Sequence, residues 1–164
     1  MILAIDPGNV QSAYVLIGDD RKPIEYGKVA NDDMLLYVRC LFAREEKPEA
    51  VVIEMVASYG MAVGASVFQT CVMIGRLTEA ALVSGFPVEY IYRMEEKMAI
   101  CHDSKAKDAN IRQALIDRFA QHDFKNGKGT KKDPDWFYGF AKDEWSAYAV
   151  GITFLEKNRK TVKE

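Results

Sequence analysis

Two carboxylates stand at equivalent places in this chain. Asp6 closes the apolar run 1–5 and precedes Pro7 and Gly8; Glu54 lies near the end of a second apolar run, 50–55. An acid at the end of a buried strand is costly unless something compensates its charge. Two acids in one crevice need a shared proton or a cation. Mg2+ is the natural cation, because it takes hard oxygen ligands, uses few protein carboxylates and leaves room for a substrate phosphate. A third acid, Asp143, opens the last helical segment, where the helix dipole favours negative charge. Three carboxylates from distant positions suit two metal ions about 4 Å apart, which clamp attacking water and leaving oxygen in phosphodiester cleavage. Taken singly, each acid also reads as a turn, a surface position or a helix start; their combination at matched strand ends favours chemistry.

The elements that position these acids follow from apolar periodicity and turn signals. Strands are predicted over 2–6, 13–17 and 24–29, with Gly18-Asp19-Asp20 as a turn, which makes an antiparallel meander. Asn31 is placed to cap a helix carrying Met34, Leu35, Val38, Leu41 and Phe42 at helical spacing, ended by Pro48. The strand over 50–55 is reached through that helix, so it pairs parallel with the first and sets Glu54 beside Asp6. A helix over 60–84, a strand over 88–92, a helix over 105–120, a loop over 122–140 and a helix over 143–157 complete the chain. In the last helix Trp145, Tyr148, Ala149, Ile152 and Phe154 turn inward. Ala147 and Val150 share the face of Asp143, so packing that face on the sheet brings Asp143 to the crevice. The order βββαβαβαα describes a single α/β domain over 1–164 with a mixed sheet flanked by helices.

The formal net charge is −2, which argues against a general nucleic-acid binder. Its distribution argues the other way. Lys125, Lys128, Lys131 and Lys132 lie in the acid-free run 124–132, and Lys157, Arg159, Lys160 and Lys163 cluster at the end. A local patch sets the electrostatic footprint for DNA. No apolar run is long enough for a transmembrane helix and no secretory pattern opens the chain, so no membrane role is expected. Cys40, Cys71 and Cys101 are widely spaced and read as buried free thiols of a reducing, cytoplasmic compartment. Cys101-His102-Asp103 lacks the partner pair of a zinc site, and 60–64 lacks the Lys-Ser/Thr of a phosphate loop. Trp136, Phe137, Tyr138 and Phe140 are of a type that stacks on bases, but are expected to cover the last helix.

Three segments, IDPG at 5–8, VIEMV at 52–56 and DEWSAYAVG at 143–151, resemble RuvC-type Holliday junction resolvases, most closely their bacteriophage branch, within the ribonuclease H and retroviral integrase superfamily. The resemblance implies a ribonuclease H-like five-stranded mixed sheet. It implies a homodimeric endonuclease, dependent on Mg2+ with Mn2+ as substitute, that cuts four-way DNA junctions in the cytoplasm, that of a bacterial host if phage-encoded. Asp6 and Glu54 fall on its first two catalytic, metal-holding acids. The family carries two further acidic or histidine positions three residues apart on the last helix; Asp143 matches one, and the other falls on Ser146, a neutral and weak ligand. A second register leaves the upstream partner as Gly139 or Phe140 and also retains Asp143. Glu144 points roughly 100° away on the helix. Lys107, in SKAKDANI at 104–111, matches a DNA-contacting lysine, with Lys105 beside it and Lys97 a further match. Tyr59 stands two residues after Ala57, where the family has an aromatic wedge. The lysines of 125–132 are expected at the DNA backbone, and the helix over 60–84 at the dimer interface. Two alternatives remain: a junction-binding protein with little nuclease activity, consistent with Ser146, and a ribonuclease H-like nuclease acting on RNA–DNA hybrids or branched DNA generally. An actin-like ATPase needs a longer, two-lobed chain.

Overall fold

The structure, a computed structural model, describes residues 1–58 and 60–161. Five strands form one mixed sheet in the order β3–β2–β1–β4–β5. β1 (Ile2–Asp6), β2 (Gln11–Ile17) and β3 (Pro23–Ala30) run antiparallel; β4 (Val51–Met55) and β5 (Val88–Tyr92) continue the sheet parallel to β1. This is the mixed α/β sheet that the strand and helix pattern predicts.

Alternation along the strands sorts the core into two layers. Leu3, Ile5, Val51 and Ile53 face α1 (Asn31–Phe42) and α2 (Ala65–Val83). Ile2, Ala4 and Val52 face the opposite side, with Ala147, Val150 and Ile152 of α5 (Lys142–Thr161) and Ile111 and Leu115 of α4 (Asp108–Phe119). Side chains two apart on a strand share a face. Asp6 therefore lies on the α5 side with Ala4, and Glu54 with Val52. Small residues let α5 approach closely. A Cβ on Gly151 would fall inside contact distance of Ile17 Cδ1 and 2.9 Å from Ala4 Cβ.

Helix boundaries depart from the periodicity in several places; α1 stops at Phe42, before Pro48, and α5 runs on to Thr161. α2 begins at Ala65 rather than 60: 61–64 is exposed, non-helical chain behind Gly60, whose φ is +82. α4 begins at Asp108 rather than 105, because the Asp103 carboxylate accepts from Lys105 N (2.8 Å) and Asn110 Oδ1 from Lys107 N (2.9 Å). Such local bonds compete with helix propagation. Between β5 and α4 lies an unanticipated α3 (Arg93–Glu96), running straight into a π-helical turn, Lys97–Cys101. Glu95 starts it by accepting from Tyr92 N at 2.8 Å.

Asn31 opens α1 without capping it through its side chain. Its amide instead holds the turn after β1, donating to Gly8 O (3.0 Å) and accepting from Ser12 Oγ (2.8 Å). The cysteines are free, but Cys40 and Cys71 are exposed and Cys101 half-buried, so their expected burial is not met. Phe137 and Phe140 are buried against Trp145 and Tyr148, as expected of a cover for the last helix. Tyr138 is exposed, and its carbonyl accepts from Tyr26 Oη. No described helix is long and apolar enough to cross a membrane.

Candidate active site

Sheet register builds the site. Ile5 pairs with Ile53, so Asp6 and Glu54 are the next residues along two adjacent parallel strands. Asp6 also pairs with Ala13, and Ala13 with Lys28 on β3. Cross-strand partners share a face. Lys28, Ala13, Asp6 and Glu54 thus form one row across the sheet, under the start of α5. The small Ala13 leaves the space above it open, and Lys28 Nζ reaches across to Asp143 Oδ2 at 2.6 Å. The turn that ends β1 is rigid. A Cβ on Gly8 would collide with the carbonyl of Gln11, and Gly8 N donates to Ser12 Oγ at 3.4 Å. This fixes where Asp6 leaves the strand.

Asp6 and Glu54 are neighbours on adjacent strands, close enough to act on each other electrostatically. Burial, then the charge of Glu54, pushes Asp6 from the usual 3.8 up to about 8. Burial, then the charge of Glu96, pushes Glu54 up to about 7, against the opposing pull of Arg93. Both effects disfavour the ionised form.

Sequence reasoning missed the flanking groups. Glu96, on α3 just past the carboxyl end of β5, is fully buried. Its Oε2 accepts from Arg93 and its Oε1 has no partner; burial pushes it up to about 7. Arg93 also donates to Asp108, the first residue of α4. Glu54 therefore faces an Arg93–Glu96–Asp108 network rather than solvent. The available signal was positional: β5 is a third parallel strand opening on the same edge, so the charged run Arg93, Glu95, Glu96 had to fall near it.

Asp6, Glu54 and Arg93 line one cavity of about 420 Å³. Asp6, Lys28 and Asp143 line a second, of about 250 Å³. Ser146 opens instead on a third, of about 210 Å³, with Arg93, Asp108, Arg112 and Lys142. Glu144 is buried and accepts from Ala141 N at 3.2 Å, so it caps α5 and turns away from the pair. Gly139 and Phe140, the upstream positions of the second register, offer no ligating side chain; Gly139 has φ +85 and Phe140 is core.

A divalent cation fits the Asp6–Glu54 donor set. The donors are hard oxygens, and the charge of Glu54 disfavours ionisation of Asp6, so a positive charge between them relieves the repulsion. Among the described residues no three His, Cys, Asp or Glu side chains are grouped to enclose one ion. Asp143 is held by Lys28, which occupies it as a cation would.

Lys105 and Lys107 are exposed beside Asp108, and Lys97 is half-buried in the π-helical turn. Lys125, Lys131 and Lys132 are exposed and Lys128 half-buried. Their loop is not loose. The Asp135 carboxylate accepts from Gln121, His122, Asp123 and Trp136 N at 2.6–2.9 Å, and Asp123 accepts from Lys125, Asn126, Lys128 and Gly129 N. Tyr59 lies outside the described residues, as do Lys163 and the side chains of Arg159 and Lys160.

The chain aligns with the structure of Thermus thermophilus RuvC in complex with a Holliday junction substrate, at TM-score 0.73 and 16% identity, over 98% of this chain and 95% of that one. The fold is RuvC-like. A further Thermus thermophilus RuvC structure aligns at TM-score 0.68 and 17% identity, covering 98% of this chain and 96% of that one. No protein-family model matches the chain, and no curated protein matches it significantly. The RuvC-like fold accounts for nearly the whole chain, and the acid pair sits at the carboxyl ends of its two central parallel strands.

Proposed function

We propose that this chain is a metal-dependent, structure-selective endonuclease that cuts four-way DNA junctions. The carrying observation is the pair of carboxyls, Asp6 and Glu54, set side by side at one edge of a RuvC-like sheet and lining one cavity, with Asp143 above them on α5. Asp6 and Glu54 would hold Mg2+, or Mn2+ in its place, with Asp143 joining once it leaves Lys28. Bound there, the ion supplies Lewis-acid activation of the water and stabilises the leaving 3′ oxygen. The chain's own residues do the rest. Asp6 and Glu54 would ionise as the cation arrives, Lys28 neutralises Asp143 until then, and Arg93 holds a fixed positive charge beside the pair. Lys97, Lys105, Lys107 and the lysines of 125–132 would contact phosphates, fixing register without reading sequence. Selectivity would then come from junction shape, read by a homodimer.

The homodimer reading rests on α2. Phe68, Val72 and Val83 of that helix are 61%, 65% and 77% exposed, and a groove between α1 and α2 is lined by Leu35, Val72 and Ala80. Exposed apolar area of this kind marks interaction surfaces.

Incubation of an end-labelled four-way junction with protein and Mg2+ is the test. Paired nicks from the wild type, abolished in Asp6→Asn, are expected; undiminished cleavage by Asp6→Asn defeats the proposal. Ser146 favours one second reading, a junction binder of low activity. Tight binding with no cleavage in either Mg2+ or Mn2+ would select it. Equal cleavage of an RNA–DNA hybrid would select the ribonuclease H-like alternative.

A further inference from the structure

We infer that the cavity of about 210 Å³ between the first turns of α4 and α5 is a phosphodiester subsite, gripping a backbone phosphate next to the one that is cut. Its DNA assignment rests on the nuclease reading above; its anion chemistry does not. The lining carries three cations, Arg93, Arg112 and Lys142, against one acid, Asp108, and adds the Ser146 hydroxyl.

The cations differ in how they are held. Arg93 is 26% exposed and fixed by Glu96 and Asp108. Arg112 and Lys142 are exposed, and among the described residues neither has an ion-pair partner. They are nonetheless aimed. Asp108 and Arg112 are four apart on α4, and Lys142 and Ser146 four apart on α5, so each helix turns one face of its opening turns to the same space. Both N-termini add backbone positive potential there.

The chemistry excludes the other occupants. Arg112 and Lys142, which have no ion-pair partner among the described residues, repel a metal ion, while Arg93 is already paired with Glu96 and Asp108. The volume is below the roughly 300–1,000 Å³ of pockets that take small organic ligands, so one compact anion suits it better than a nucleoside. Arg93 lines both this cavity and the one holding Asp6 and Glu54. An anion here is therefore adjacent to the cutting site, as the next phosphate of a bound strand would be. Ser146 fits this role better than a carboxylate, since a hydroxyl donates to phosphate and a carboxylate repels it.

Two measurements on the whole protein test the inference. Inorganic phosphate is titrated while the indole N–H of Trp145, which lines the cavity, is followed by NMR. Separately, affinity for a four-way junction and for plain duplex is measured in EDTA across a salt series. The variants are Arg112→Ala, Lys142→Ala and their combination, with Lys47→Ala, exposed in the loop before β4, as control. Melting curves check that all are folded. Expected is a saturable Trp145 shift, lost in the double variant. The log–log salt slope should also fall by about 0.9 for each cation removed, with Lys47→Ala unchanged. A Trp145 response with an unaltered slope would assign the site to free phosphate and overturn the backbone contact. No response and no slope change would overturn the subsite entirely. Wild type that binds junction no better than duplex would count against junction selectivity alone, because the subsite is still judged on the duplex slope and on phosphate.

Discussion

Replacing Asp6 by asparagine should make the metal-free protein more stable at pH 8 and leave it nearly unchanged near pH 4. Asp6 is raised from 3.8 to about 8, chiefly by burial and then by Glu54. Between those values the folded state binds more protons than the unfolded one, so stability falls as pH rises. The stability tied to the protonated carboxyl is complete below about 4 and gone above about 8. The displacement corresponds to roughly 6 kcal/mol, at about 1.36 kcal/mol per tenfold change in proton affinity. The two carboxyls titrate together, so this cost belongs to the pair, and removing one of the two charges relieves on the order of 3 kcal/mol of it. Asparagine removes the charge and keeps a donor for Glu54. In a chain of this length, 3 kcal/mol moves the melting midpoint by about 6–12 °C.

Thermal melts in EDTA at pH 4.5, 6 and 8 give the comparison directly. The gap between Asp6→Asn and wild type should widen with each step in pH. Mg2+ should raise the wild-type midpoint at pH 8 and raise that of Asp6→Asn less, since ligand binding to the folded state stabilises it. A variant midpoint at or below wild type at pH 8, or a gap independent of pH, would refute the picture of two buried acids awaiting a cation.

Three further predictions concern the third acid, the basic loop and residue 146. Lys28→Ala frees Asp143 and should tighten Mn2+ binding by about two- to five-fold, the scale of a partly exposed ion pair; calorimetry showing weaker binding would make Lys28 a helper rather than a competitor. Asp135→Ala should cost about 2–4 kcal/mol, because four backbone donors lose a charged acceptor, and should open the loop 121–140 to limited proteolysis. The backbone donors hold Asp135 below the usual carboxylate range despite its burial, so the stability it contributes is present above about 3.8 and lost as pH falls. Ser146→Asp should weaken DNA binding without tightening Mn2+ binding, because Arg93, Arg112 and Lys142 would take up the new charge; a gain in Mn2+ affinity would instead place residue 146 at the metal.

The strand skeleton and the acid pair were legible because they rest on local signals. Apolar runs ending in Asp6-Pro7-Gly8 and in Glu54-Met55 mark parallel strands by their composition, and the helix between them dictates the direction of pairing. Asp143 was reachable because Ala147 and Val150 fix which face of α5 packs. What escaped depends on tertiary contacts. Lys28 meets Asp143 only because Ala13 leaves room between β1 and β3, and no spacing in sequence reveals that. Glu96 sits in a run, Arg93-Met94-Glu95-Glu96-Lys97, that reads as solvated charge until α3 packs against α5. Asn31 has the composition of a helix cap, but its amide finds better partners in Gly8 and Ser12 across two strands. The starts of α2 and α4 were misplaced for the same kind of reason. Periodicity continues through 60–64 and 105–107, while Gly60 and the Asp103 and Asn110 side chains stop the helix.

The charges around the acid pair form one arrangement rather than separate oddities. Without an ion, Asp6 and Glu54 can remain together only if protonated or neutralised, and the fold supplies both remedies: burial that favours the protonated form and Arg93 beside them. Arg93 in turn needs to be held, which Glu96 three residues on and Asp108 at the start of α4 both do. A second carboxylate on α5 at 146 would enter the space where Arg93, Arg112 and Lys142 already converge, and would be drawn to them rather than to a metal. Serine there and cations around it are mutually consistent choices. They divide the edge of the sheet into a negative half, Asp6, Glu54 and Asp143, that suits a cation, and a positive half that suits phosphate anions. A phosphodiester strand carrying its own negative charge, with an ion beneath one phosphate, matches both halves at once.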